Sequence, residues 1–94
     1  HEFQLSSFPS FLSDEIAVEK AQATLALEGR HAADWTLVRD RRTSAPDGTR
    51  DSYLVRNAND ANRGHVTFRN GEKRLLVIVE LRGSLLICRT YKPK

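Results

Sequence analysis

The chain has 94 residues, 39% hydrophobic and 29% charged, with a formal net charge of +3 at pH 7 and one cysteine. These proportions describe one ordinary soluble domain and exclude bulk disorder, an intrachain disulfide and a membrane-spanning helix, which needs about 20 apolar residues in a row. No basic start leads into an apolar stretch of secretory type, and the absence of methionine is expected of a fragment or a processed form, with His1-Glu2-Phe3 open to being a cloning remnant.

Residues 3–12 hold three of the four Phe of the chain, Phe3, Phe8 and Phe11, together with Pro9 and three serines. Proline and serine oppose a helix, and so much aromatic area opposes a free tail. We expect an apolar N-terminal arm, residues 1–12, lying against an apolar surface of a single domain, residues 13–94.

Ser13-Asp14-Glu15 is helix-start chemistry: a short hydroxyl side chain to accept free backbone N–H groups, and carboxylates at the positive end of the dipole. Residues 16–28 are rich in Ala, Leu, Glu and Gln, with Ala17, Ala21, Thr24 and Leu25, flanked by Val18 and Leu27, on one stripe. Gly29 suits a C-cap.

From Trp35 the hydrophobic period changes from helical to alternating. Strands are expected over 35–39, fading towards Arg42, over 52–56, over 65–69, over 74–81 and over 84–91. Ala45-Pro46-Asp47-Gly48 and Asn70-Gly71 are turns, the second a strong hairpin signal. Asn57 to Gly64 reads as a polar loop. The fold class is therefore α+β, one N-terminal helix packed on a five-stranded antiparallel meander sheet. This order of elements over residues 13–91 is similar to the helix-plus-meander layout of cystatin-like and PepSY-type domains. The likeness lies in element order alone and carries no site residue.

Leu75-Leu76-Val77-Ile78-Val79 is apolar at every position, and Leu85-Leu86-Ile87-Cys88 nearly so. Alternate side chains of a strand face opposite ways, so both faces of this sheet are apolar. One helix covers one face. The other needs the arm, a second copy or a partner.

No catalytic or metal constellation emerges. Cys88 lies in an apolar run, as a buried thiol does. His1, His31 and His65 lack metal-ligand spacing to one another or to the cysteine. The loop containing Asp60 has one carboxylate and lacks a calcium loop's distal Glu. Arg63-Gly64 opens like the signature strand of the RNA-recognition motif, but His65 and Thr67 stand where that motif places aromatics. Neither a metal nor a cofactor is expected.

The basic residues are more informative. Eleven of the fifteen are Arg, and residues 1–29 are acidic whereas residues 30–94 are basic. Three functions remain open. The first is a non-catalytic protein-binding or self-association module, part of a larger protein, using a sheet face or edge through Phe3, Phe8, Phe11, Leu76, Ile78 and Leu86. The alternative is phosphate-backbone binding to nucleic acid through an Arg-rich hairpin, Arg39, Arg41, Arg42 and Arg50 with Tyr53. The third is a small enzyme with no recognisable motif. Compartment is left open.

Overall fold

Element order is set by where the hydrophobic period changes, and the computed structural model, which describes residues 1–44 and 51–93, keeps that order. Strand β1 (Glu2–Gln4) precedes helix α1 (Asp14–Leu27) and a single 3-10 turn (Ala32–Asp34). Seven strands follow among the described residues: β2 (Thr36–Val38), β3 (Asp40–Ser44), β4 (Asp51–Ser52), β5 (Leu54–Asn57), β6 (Asp60–Asn70), β7 (Lys73–Arg82) and β8 (Leu85–Tyr91). The fold is α+β, one helix on a six-stranded antiparallel sheet in which β1, β8, β7 and β6 lie side by side. The outer edge of β6 pairs with β2 at Phe68 and its neighbours and with β5 from Asp60 to Val66.

The helix forms where its chemistry predicts. The Ser13 hydroxyl accepts the Ile16 N–H at 3.1 Å. At the other end Gly29 takes φ +76, its N–H donating to Ala26 and that of Arg30 to Leu25, at 3.0 and 2.9 Å. This paired closure requires a left-handed residue, which glycine adopts without strain. Ala17, Ala21, Thr24 and Leu25 are buried, while Leu27 at 62% exposure lies off the stripe. Small alanines let α1 sit close on β5 to β8. Beneath it, alternate residues of the strands form the core: Val66, Phe68, Leu75, Val77, Val79, Leu81, Leu86 and Cys88.

Two loops of the sequence reading change character. Asn57 to Gly64, expected as a loop, is mostly strand: Asn57 pairs with Asp60, Arg56 with Gly64, and the surplus residues form a bulge. Ladder hydrogen bonds come from the backbone, so polar side chains do not forbid them, and the Asn57 and Asp60 side chains accept the N–H groups two residues on. The first two expected strands are not sheet neighbours. Both lie along β6, and between them the chain leaves the sheet as the separate pair β3–β4. The turn expected at 45–48 lies outside the described residues.

The arm, expected to cover part of the sheet face away from the helix, takes the sheet edge instead. It pairs edge-on with β8, Phe3 opposite Leu86, and the Leu5 N–H continues this to Ser84 at 2.7 Å. Phe3, Leu5 and Leu12 all pack on the helix side, Leu12 with 0% exposure. The arm therefore leaves the far face uncovered. The free edge of β8 supplies backbone hydrogen-bond partners to an extended segment, which a sheet face does not.

Two close contacts fix the helix on the sheet and β5 against β6. One Asp14 carboxylate oxygen accepts the N–H groups of Tyr53 and Leu54 at 3.0 and 2.8 Å and the Ser52 hydroxyl at 2.6 Å. Gly64 faces β5 so closely that a Cβ there would lie 2.4 Å from the Val55 carbonyl oxygen.

Candidate functional site

Antiparallel register fixes which side chains share the face away from α1. Ile78 stands between His65 and Arg89, and Leu76 between Thr67 and Tyr91. Ile87 lies opposite Glu80, Leu85 opposite Arg82, and Arg69 opposite Arg74. The centre of this open face is apolar and half-buried: Val38, Val55, Leu76, Ile78, Leu85 and Ile87. Its margin carries the exposed residues Arg63, Arg69, Arg74, Arg82, Arg89 and Tyr91. Of these arginines, Arg82 is held by Glu80 at 3.1 Å.

At the corner where the chain leaves β2, a pocket of about 310 Å³ is lined by Val38, Arg39, Asp40, Tyr53, Val55, His65, Thr67, Arg69 and Arg74. Arg39 lies 4.9 Å from the centre of the Tyr53 ring and donates to the Tyr53 hydroxyl at 2.8 Å. A neighbouring pocket of about 490 Å³ shares Arg74 and adds Arg30, Trp35, Lys73 and Lys92. Arg30 lies 5.6 Å from the Trp35 ring centre and pairs with Glu28 at 3.6 Å.

The thiol has no place in this site. Cys88 is fully buried under the helix, and burial pushes its pKa up against the opposing hydrogen bond from Thr24. A protonated, enclosed thiol is a packing group. Among the described residues no cluster of His, Cys, Asp and Glu is arranged to hold a metal ion, and no helix is long and apolar enough to cross a membrane.

The structure places the sequence-predicted residues unequally. Leu76 and Ile78 lie on the open face, as expected. Leu86 does not: it is fully buried against the helix, and its neighbours Leu85 and Ile87 take the outward positions. The three Phe are separated, Phe3 towards the core and Phe8 and Phe11 exposed at 81% and 58%. Arg39 and Tyr53 do come together. Only the backbone of Arg41 and Arg42 is described, and Arg50 lies outside the described residues. Arg69 and Arg74 were not singled out, yet strand parity with Leu76 and the Asn70-Gly71 hairpin already put them on one face.

No family model, curated protein or solved structure matches this chain.

Proposed function

We propose that the chain is a non-catalytic binding module that presents the helix-free face of its sheet to a protein partner or a second copy. The observation that carries this reading is the half-exposed row Leu76, Ile78 and Ile87; among the described residues, α1 and the arm's apolar anchors all lie on the other side. Apolar centre within a charged margin is the composition of a docking surface, where arginine and tyrosine are favoured contact residues. The buried, protonated Cys88 favours a binding role over nucleophilic catalysis. Ile78→Asp tests it. Immobilised protein retains a protein partner, or associates with itself by light scattering, and the variant loses this at unchanged fold. Equal retention by the variant overturns the reading.

A second reading, nucleic-acid binding, is favoured by one observation: Arg39, Arg69 and Arg74 line one pocket with Tyr53. Phosphate contacts weaken steeply with salt and apolar docking does not. Release of bound nucleic acid on raising salt, insensitive to Ile78→Asp, selects this second reading.

A further inference from the structure

We propose that the corner pocket between β2, β5, β6 and β7 binds a phosphate group carried as a dianion, a phosphomonoester or inorganic phosphate. Three arginines, Arg39, Arg69 and Arg74, and one acidic residue, Asp40, are among the described residues that line it. With histidine counted neutral, the described residues of its lining carry a formal excess of two positive charges. A phosphomonoester carries about −1.5 to −2 at pH 7, whereas a carboxylate or a nucleic-acid phosphodiester carries about −1. The charge match selects the dianion.

Geometry supports the same ligand. Arg39 is held in advance by stacking on Tyr53 and by its hydrogen bond to the Tyr53 hydroxyl, so little of its freedom remains to be lost on binding. Arg69 and Arg74 stand directly opposite across β6 and β7, where side-chain bases lie about 5 Å apart and like charges repel. Among the described residues neither forms an ion pair. An anion between them converts that repulsion into two charge-assisted contacts. Thr67, on the same wall, adds a hydroxyl that a four-oxygen ligand can use and a two-oxygen carboxylate leaves over. The volume of about 310 Å³ admits such a group together with part of the molecule that carries it.

The proposal goes beyond the docking face and does not require its partner. Titration of the isotope-labelled protein with inorganic phosphate at constant ionic strength, followed by amide shifts, is the test. Saturable shifts at Thr67, Arg69 and Arg74 are expected, absent with acetate or chloride. Arg69→Gln with Arg74→Gln weakens binding at least ten-fold, and Arg39→Gln, outside every strand of the sheet, does so if the double variant fails to fold. Ile78→Asp leaves the titration unchanged, which separates this site from the docking reading. A phosphoserine peptide that competes with inorganic phosphate identifies a protein-borne source, and phosphoethanolamine competing alone identifies a small-molecule one. Non-saturating shifts, an equal response to acetate, or unaltered binding in the arginine variants overturns the proposal. So does a single-stranded oligonucleotide that binds and is not displaced by phosphate.

Discussion

The two faces of the sheet are built from the same strands and differ only in residue parity. In β7 the odd positions Leu75, Val77 and Val79 have 0% exposure beneath α1, while the even positions Arg74, Leu76, Ile78, Glu80 and Arg82 look outward. The helix side is uniformly apolar and closed. The open side mixes branched aliphatics with arginines and leaves them half-buried or exposed. Folding stability is thus concentrated on one face, because burial from water is complete there. The other face keeps apolar area and charge that folding does not consume, which is where a partner or a ligand can act.

The largest expected effect tests this asymmetry directly. Phe68→Ala, at 1% exposure in the closed face, is expected to cost about 3–5 kcal/mol in denaturant unfolding. Leu76→Ala, half-buried on the open face, is expected to cost well under half of that. Equal costs would mean both faces contribute alike and would remove the basis for assigning binding to one.

Cys88 gives a kinetic measure of the same closure. Its reaction with a thiol reagent requires the helix layer to open, so modification is expected to be about a thousand-fold slower than in the unfolded chain. Because burial raises its pKa above the ordinary 9.0, the folded state holds the thiol proton more tightly than the unfolded state. The stability this gives is present below the ordinary value and is lost as pH rises through the folded one. Cys88→Ala is expected to remove that share of the alkaline loss.

Gly64→Ala sharpens the comparison at the seam between β5 and β6. Its added methyl would meet the Val55 carbonyl oxygen at 2.4 Å and Leu54 Cδ1 at 2.9 Å, and a loss of about 1–3 kcal/mol is expected. An unchanged unfolding midpoint would show that the two strands separate without cost. The smallest effect has the opposite sign. Arg69→Gln relieves the repulsion with Arg74 and is expected to stabilise by about 0.2–1 kcal/mol at low salt, a gain that added phosphate abolishes. Loss of stability instead would mean that Arg69 already has a stabilising partner.

Local chemistry made much of this legible. Ser13, the alanine stripe and Gly29 specify α1 because caps and period act within a few residues. The continuous apolar runs of β7 and β8 announce a sheet with two apolar faces for the same reason. Asn57 to Gly64 misled because pairing is decided by a partner strand, and Asp60 to Arg63 carry no apolar period to reveal it. The arm misled because residues 3–12 state that they need an apolar neighbour without saying which side of the sheet supplies it.

The sequence by itself determined the class of the fold, the helix and its buried stripe, the burial of Cys88 and the presence of apolar residues on the second face. Only the tertiary structure decided that β1 takes the edge of β8, that Leu86 faces inward while Leu85 and Ile87 face out, and that Arg39, Arg69 and Arg74 meet at one corner. Each of these depends on register between segments 29 or more residues apart or on a hairpin's parity. A one-residue slip would send every side chain of a strand to the opposite face.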